Sequence, residues 1–262
     1  IRLIGVKKNH RLSRWVAFNA LREVECMNVV EQYNLTLQIE VLKEQSAETL
    51  ARLCNLVEGS GTSDCVELLK AYSHIVNTEL YLATSIHELD ILKLDMVKLE
   101  NTITESLAQA SYDISDVKAV KETSDVQAIE SYNSEDFDKA LERTINLLTF
   151  NKNISSTPRA VILGGQSGAG KTTIHRVKML ESKGNYIVID GDTYRAQHPY
   201  FRELQEKYGV DSVDYTKMFA GKMVEAVIDK LSSLKYNLII EGTLRSAAVP
   251  INTATLLKSK GY

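Results

Sequence analysis

The residues with the clearest chemistry form a glycine-rich loop near the middle of the chain. Residues 165–172 read GQSGAGKT, which satisfies every position of the phosphate-binding pattern G-x-x-x-x-G-K-[ST]. An apolar stretch at residues 159–163 precedes the loop and a predicted helix at residues 173–181 follows it, as the pattern requires. The backbone amides of such a loop point at phosphate oxygens, and the helix adds its positive N-terminal end. The alternative is a glycine-rich turn that binds nothing.

Two side chains of the loop have specific roles in this interpretation. We expect Lys171 to reach the β- and γ-phosphates of ATP, and the Thr172 hydroxyl to hold Mg²⁺. The predicted nucleotide-binding residues are Gly165, Gln166, Ser167, Gly168, Ala169, Gly170, Lys171, Thr172 and Thr173.

Polar residues follow two further predicted strands at the point where each strand ends. Asp192 follows the strand at residues 186–190, and Arg245 follows the strand at residues 237–241. The carboxyl ends of parallel strands lie beside the phosphate loop in this architecture. A carboxylate there can bind Mg²⁺ or accept a proton from a substrate hydroxyl, and an arginine can bind phosphate. The plainer alternatives are a turn or capping residue for Asp192 and a surface ion pair for Arg245.

Three other polar residues are less specific candidates. Glu225 lies in an apolar stretch at residues 223–227, where the simpler interpretation is the polar side of an amphipathic helix. For His175 and His198, structural roles are simpler than catalytic ones.

The first part of the chain has the pattern of helices. Residues 31–58 and 64–82 carry apolar side chains at helical spacings, and the sequence GSG separates them. Ser85 and Glu88 form a capping-box pattern, and an a/d seam follows them. Three such helices joined by short loops predict an antiparallel bundle within residues 1–110. Residues 1–26 are mixed in character and have no assignment.

The rest of the chain alternates between strand and helix. Residues 111–130 are polar and acidic and form the predicted linker to a domain at residues 131–262. The alternation predicts an α/β P-loop domain with a parallel sheet, preceded by the all-α helical bundle. The predicted strands lie at residues 159–163, 186–190 and 237–241, and the longest predicted helix of this part lies at residues 213–234.

The composition limits the kinds of partner. The 262 residues are 44% hydrophobic and 25% charged, with a formal net charge of −3, which is ordinary for a globular protein and indicates no basic surface for nucleic acid. No apolar run reaches the roughly 18 residues that cross a bilayer. The cysteines Cys26, Cys54 and Cys65 lack metal-ligand spacing and indicate reduced thiols. We therefore expect a cytoplasmic protein without a nucleic-acid or membrane partner.

Residues 160–262 resemble the zeta toxin family, the kinase components of bacterial epsilon/zeta-type and Pez-type toxin–antitoxin systems. The similarity lies in LGGQSGAGKTT, YIVIDGDTYRAQHP, FAGKMVEAVIDKLSS and YNLIIEGTLRSAAVPINTATLLKSKGY. It implies a P-loop kinase that uses ATP to phosphorylate the 3′-hydroxyl of UDP-N-acetylglucosamine, and so blocks cell-wall synthesis. By this resemblance Asp192 is the base that accepts the hydroxyl proton. The residues implied to bind the substrate are Asp192, Glu225, Glu241, Thr243 and Arg245.

The helical part resembles the toxin-binding region of the Pez-type antitoxin. The similarity lies in YNLTLQIEVLKE at residues 33–44 and NTELYL at residues 77–82. An antitoxin-like bundle, a linker and a toxin-like kinase in one chain imply inhibition in cis. We expect the helix at residues 33–58 to block ATP entry, with an acidic or polar side chain meeting Lys171 or its neighbours.

The family pattern continues beyond the position of Tyr262 with further strands and a lid whose arginines contact the transferring phosphate. The sequence therefore predicts that this C-terminal part of the kinase is missing.

Two other functions stay open. One is a P-loop kinase for another nucleotide or sugar, and the other is a non-catalytic, nucleotide-responsive interaction module with the bundle as its working surface.

Overall fold

A parallel sheet organises the protein. The computed structural model describes residues 2–5, 29–60, 63–112, 131–165, 169–242 and 246–262. Within these ranges four parallel strands have the order β1-β2-β4-β3. The strands are β1 (Arg2–Gly5), β2 (Ala160–Gly164), β3 (Ile187–Ile189) and β4 (Leu238–Gly242). The predicted α/β fold with a parallel sheet is confirmed.

Helices precede the main strands and connect them. The helical half (residues 29–112) contains α1 (Val29–Ser60), α2 (Ser63–His74) and α3 (Ile86–Tyr112), which contact one another as a bundle does. Helix α2 continues through a π-helical turn, Ile75–Glu79, and a last turn, Leu80–Leu82. The sheet half (residues 131–262) contains α4 (Ser134–Thr149), α5 (Lys171–Glu181), α6 (Phe201–Tyr208), α7 (Ser212–Ser233) and α8 (Ala248–Ser259). Among the described residues, no helix has the length and apolar character needed to cross a bilayer.

Side chains cap two of these helices, and the capping box at Ser85 is the one predicted above. The Asn133 side chain accepts a hydrogen bond from the Asp136 amide at 2.7 Å, at the start of α4. Ser85 Oγ accepts from the Glu88 amide at 3.2 Å, and the Glu88 carboxylate accepts from the Thr84 amide at 2.6 Å. Each cap satisfies amides that have no partner within the helix and contributes about 1 kcal/mol.

The pleat of the strands sends alternate side chains into two cores. On one face of the sheet, Val161, Leu163 and Ile239 join the buried apolar side chains of the helical half. On the other face, Ile162 and Ile240 join apolar side chains of α4 and α7. Because successive strand residues point to opposite faces, each strand serves both cores. The helical half is therefore a layer of the fold that covers one face of the sheet.

Strand β1 is an element that the sequence did not reveal. The predicted domain boundaries group residues 1–26 with the bundle, whereas Arg2–Gly5 pairs in parallel with β2, with Arg2 opposite Val161. The start of the chain thus extends the sheet at its edge. A run of four residues with only two large apolar side chains has no periodicity that separates a strand from a helix, which is why this pairing could not be predicted. Most of the predicted linker, residues 113–130, lies outside the described residues.

Gly184 lies where the sheet half contacts the helical half. Its φ is +81°, and a Cβ atom there would lie 2.8 Å from Thr78 Cγ2 of the helical half. We expect Gly184→Ala to lower the free energy of unfolding by about 2–4 kcal/mol, through the left-handed backbone and the steric overlap. The matched control is Gly261→Ala, with a φ of +82° but only Lys235 Nζ nearby, at 3.9 Å.

Urea unfolding of both glycine variants separates the two costs. Gly261→Ala should lose only the backbone contribution, about 1–2 kcal/mol. Equal losses in the two variants would contradict the close contact between Gly184 and Thr78.

Candidate functional site: the phosphate loop and the ends of the strands

The phosphate loop connects β2 to α5 at the carboxyl end of the sheet. The Gly165 amide donates to the Gly242 carbonyl at 3.3 Å, which fixes the start of the loop against the end of β4. Gly170 caps α5 with a φ of +81°, a left-handed conformation that glycine adopts without strain. Ala169 and Thr172 are buried beneath it. Three predicted loop residues lie outside the described residues, and their contacts stay predictions: Gln166, Ser167 and Gly168.

Lys171 lies between the loop backbone and a carboxylate. Its Nζ donates to the Gly165 carbonyl at 3.1 Å and lies 3.8 Å from Glu241 Oε2. Glu241 is in register with Leu163, at the end of the neighbouring strand β2, so the strand pairing carries its side chain to the loop. The Thr173 amide closes the first turn of α5 on the Gly170 carbonyl at 3.2 Å. Two predicted site residues, Lys171 and Glu241, are thus side by side.

A lysine from the helical half extends this charged cluster. Lys43 Nζ donates to Asp190 Oδ2 at 3.2 Å and lies 3.7 Å from Glu241 Oε1. Asp190 follows β3, which pairs with β4, so both carboxylates stand at the same edge of the sheet. Burial lowers the pKa of Lys43, but Tyr81, Asp190 and Glu241 raise it more, and the pKa lies well above its ordinary value. Lys43 is therefore a charged ammonium group.

Glu241 links the two lysines. The pKa of Glu241 is raised to about 7, chiefly by burial; Lys43 and Lys171 lower it, and Asp190 raises it. His175 Nε2 lies 3.1 Å from Glu241 Oε1, but without the alignment of a hydrogen bond. Burial, together with Lys43 and Lys171, holds the pKa of His175 well below its ordinary value, so this imidazole is neutral at physiological pH.

The other predicted substrate-binding residues lie farther towards solvent or outside the described ranges. Asp192 lies in the first turn of a 3₁₀ helix, Gly191–Gln197; its side chain is 83% exposed, and its Oδ1 lies 3.2 Å from Arg195 Nε. Glu225 is exposed on α7. Thr243 and Arg245 lie outside the described residues. The roles of these four residues in substrate binding stay predictions.

A buried arginine joins α5 to the helical half. Arg176 donates to Gln32 Oε1 at 3.1 Å, to Thr36 Oγ1 at 2.9 Å and to the Ala83 carbonyl at 2.7 Å. All three acceptors belong to the helical half and none is a carboxylate. Burial lowers the pKa of Arg176 to about 10, so its guanidinium stays charged among neutral oxygens. The helix that follows the phosphate loop is therefore fixed directly to the bundle.

Helix α1 reaches the strand ends through a basic side chain. Lys43 meets the carboxylates of Asp190 and Glu241, for which a cation is the complementary partner. Polar side chains of α1 also contact Arg176, five residues beyond Lys171. The expected contact of an acidic or polar side chain of α1 with Lys171 itself stays a prediction.

Sequence reasoning missed three residues of this site. Asp190 had a usable signal, because it is the polar last residue of a predicted strand and lies two positions before Asp192. Lys43 and Arg176 had none, since each is one of several basic residues on an amphipathic helix. Their roles come from the packing of the two halves.

The parallel sheet, the phosphate loop and the helix that follows it define a P-loop kinase fold, here preceded by a helical bundle. The zeta toxin family model matches residues 144–262, and the bacterial epsilon antitoxin model matches residues 31–106. Residues 31–106 are therefore similar to the epsilon antitoxin family, and residues 144–262 are similar to the zeta toxin family.

The similar proteins include toxins of streptococci. Toxin PezT of Streptococcus pneumoniae is 60% identical over 134 residues, which are 51% of this chain and 53% of that protein. Toxin zeta of Streptococcus agalactiae is 42% identical over 134 residues, 51% of this chain and 47% of that protein. A solved structure from a study of the PezAT chromosomal system of S. pneumoniae has 60% identity and a TM-score of 0.50, over 51% of this chain and 56% of its own. The chain spans about half the length of the curated relatives it matches.

Proposed function

We propose that this chain carries the nucleotide-binding part of an ATP-dependent phosphotransferase and that its helical half inhibits it in cis. The substrate that we propose is UDP-N-acetylglucosamine, phosphorylated at the 3′-hydroxyl, so that the product blocks cell-wall synthesis. The observation that carries this proposal is the position of Glu241, which lies against Lys171 of the phosphate loop and also against Lys43 of the helical half. The antitoxin and toxin families matched by the two halves support it.

The loop binds ATP in this proposal. Its amides and the N-terminal end of α5 face the phosphates, and Lys171 places a positive charge on the β- and γ-phosphates. Mg²⁺, when bound with ATP, neutralises charge that develops on the transferring group. The residue that fits this ion is Thr172, whose hydroxyl-bearing side chain is buried in the first turn of α5, next to the loop.

Asp192 accepts the proton of the attacking hydroxyl in this proposal. Its carboxylate is exposed at the end of β3, where a substrate can approach from solvent. The 3′-oxygen forms a bond to the γ-phosphorus, the bond to the β-phosphate oxygen breaks, and ADP leaves. Glu225, Glu241, Thr243 and Arg245 hold the sugar nucleotide.

Inhibition follows from what the helical half contacts. Helix α1 lies over the strand ends, and Lys43 engages the carboxylates beside Lys171. A tethered inhibitor acts at an effective concentration that reaches the millimolar range, so modest contacts are sufficient. Activity then requires that α1 move away from the strand ends.

Asp192→Asn tests the proposed base. We expect turnover to fall by about 10²–10⁴-fold while ATP affinity stays unchanged, because asparagine keeps the shape but cannot take the proton. The assay follows phosphorylated UDP-N-acetylglucosamine in the full natural protein carrying Lys43→Glu, which repels α1 from the carboxylates. The matched control is Asp214→Asn, another exposed carboxylate paired with a cation three residues away.

Two results would contradict this assignment. Turnover equal to that of the parent would make Asp192 a turn residue. Phosphorylation of other nucleotides or sugars, with none of UDP-N-acetylglucosamine, would support the kinase activity but contradict the proposed substrate.

A further inference from the structure

The 3₁₀ helix that carries Asp192 is held at its last residue by an arginine of α4. Arg143 Nη2 donates to Gln197 Oε1 at 2.6 Å, and Gln197 ends the helix Gly191–Gln197. The Arg143 side chain is 12% exposed, so water competes little for this bond. A charged donor also makes a stronger hydrogen bond than a neutral one. The proposed base therefore lies in a segment whose end is fixed by Arg143.

The same guanidinium binds the helical half. Its Nη1 lies 2.5 Å from Glu58 Oε1, near the end of α1. The guanidinium of Arg143 is planar and rigid, so its two Nη atoms cannot move independently. Glu58 at one of them therefore limits the orientation in which the other meets Gln197. Through Arg143, a residue of the helical half acts on the end of the 3₁₀ helix.

Helix α1 also acts on the start of this 3₁₀ helix. Asp190 caps it, and Asp190 Oδ1 accepts from the Asp192 amide at 3.1 Å. The other oxygen of the same carboxylate, Oδ2, accepts from Lys43 at 3.2 Å. The helical half therefore contacts both ends of the segment, through Asp190 at the start and through Arg143 at the end.

Contacts at the two ends matter for a segment of this kind. The hydrogen bonds of a 3₁₀ helix have poorer geometry than those of an α-helix, and runs longer than three or four residues are uncommon. This helix has seven residues, of which only Tyr194 and Ala196 are buried. The Asp192 side chain is 83% exposed. The position of Asp192 thus depends on the side chains that hold the helix at its ends.

We propose that Arg143 is a positioning residue for Asp192. It holds the end of the 3₁₀ helix through Gln197, and Glu58 of the helical half sets the orientation of its guanidinium. The helical half then acts on the side of the site where the acceptor hydroxyl loses its proton, in addition to the phosphate loop. The consequence for turnover rests on the proposed function, whereas the hold on the 3₁₀ helix does not.

The alternative is an ion pair that only joins α1 to α4. In that case the loss of Arg143 lowers the stability of the whole protein, and the 3₁₀ helix opens no more readily than its surroundings. The two accounts therefore differ in whether the effect is local to residues 191–198.

Hydrogen–deuterium exchange of the purified chain, without nucleotide or sugar, distinguishes the two accounts. Gln197→Leu leaves the ion pair with the helical half intact. We expect it to make the amides of residues 191–198 exchange at least about tenfold faster, while those of β2 and β4 keep the rates of the parent. Arg143→Met should have the same local effect. Lys139→Met removes an exposed lysine of the same helix and should change neither. Unchanged exchange in Gln197→Leu, or equal acceleration in the strands, would overturn the proposal.

Turnover tests the link to Asp192. In the full natural protein carrying Lys43→Glu, Gln197→Leu should lower kcat for phosphorylation of UDP-N-acetylglucosamine by about tenfold or more, because the base is misplaced. ATP affinity should stay unchanged, since the phosphate loop is not affected. Gln197→Glu keeps an acceptor for Arg143 and should retain most of kcat.

The outcomes separate the positioning role from the proposed function. An unchanged kcat in Gln197→Leu would overturn the positioning of Asp192 by Arg143. Absence of product already in the Lys43→Glu parent would instead contradict the proposed function. The exchange experiment contains no substrate, so it decides whether Arg143 holds the 3₁₀ helix in either case.

Discussion

Lys171→Ala should reduce ATP affinity by about 10²-fold or more and remove measurable phosphotransfer, because this lysine supplies the point charge on the β- and γ-phosphates. The fold should survive, since the Lys171 ammonium contacts the Gly165 carbonyl and Glu241 at the end of the sheet and is part of neither apolar core. Titration of a fluorescent ATP analogue measures the affinity, in the Lys43→Glu background so that α1 does not compete.

Lys178→Ala is the matched control for this substitution. Lys178 lies on the same helix, α5, and pairs with Glu181 at 2.6 Å on the exposed side. Its loss should leave nucleotide affinity unchanged. An ATP affinity that is equal in Lys171→Ala and in the control would remove the loop from nucleotide binding.

Gln32→Leu should lower the free energy of unfolding by about 1–3 kcal/mol, because it leaves part of a buried guanidinium without an acceptor. Gln32 is buried, and its Oε1 lies 3.1 Å from Arg176 Nη1. Gln38→Leu makes the same change at an exposed position of α1 and should cost little. Urea unfolding measures all variants.

The double variant Gln32→Leu with Arg176→Met distinguishes two causes of the lost stability: the loss of a contact and the burial of a charge without a partner. Removing both partners of a buried polar pair is often close to neutral, whereas removing one is costly. We therefore expect the double variant to recover much of the stability lost in Gln32→Leu. The opposite result is a loss of stability in the double variant that equals the sum of the losses in Gln32→Leu and Arg176→Met. That result would mean that the two side chains contribute independently, and it would contradict the contact between the halves.

Local features of this fold were predictable from the sequence. A few neighbouring residues are enough to predict the phosphate loop and the strand before it. The same holds for the polar residues that mark the end of each strand. The cap at Asn133 and the capping box at Ser85 are equally local, and both form. Pairing between β2 and β4 then brings Glu241 to the loop, which follows from the general rule for parallel sheets.

Features that depend on contacts between distant segments were not predictable. Lys43 is 147 residues from Asp190, and Arg176 is 144 residues from Gln32. Nothing in the local pattern of either helix separates these cations from solvated ones. The contact that Lys43 makes could not be predicted for the same reason, because it depends on which carboxylates the strand ends present.

The apolar core that the two halves share could not be predicted from the sequence either. A predicted linker suggests two bodies that dock and separate, whereas Val161 and Leu163 of β2 share a core with α1, α2 and α3. Deleting the helical half would expose that core, so point substitutions at the strand ends are the better test of inhibition.

The most direct test of the central claim is phosphoryl transfer from ATP to UDP-N-acetylglucosamine in the full natural protein, compared between the parent and Lys43→Glu. The glutamate faces Asp190 and Glu241, and the resulting repulsion should release α1 from the strand ends. We predict little product from the parent, at least about tenfold more from Lys43→Glu, and none from Lys43→Glu with Lys171→Ala. Equal activity of the parent and Lys43→Glu would contradict inhibition by the helical half.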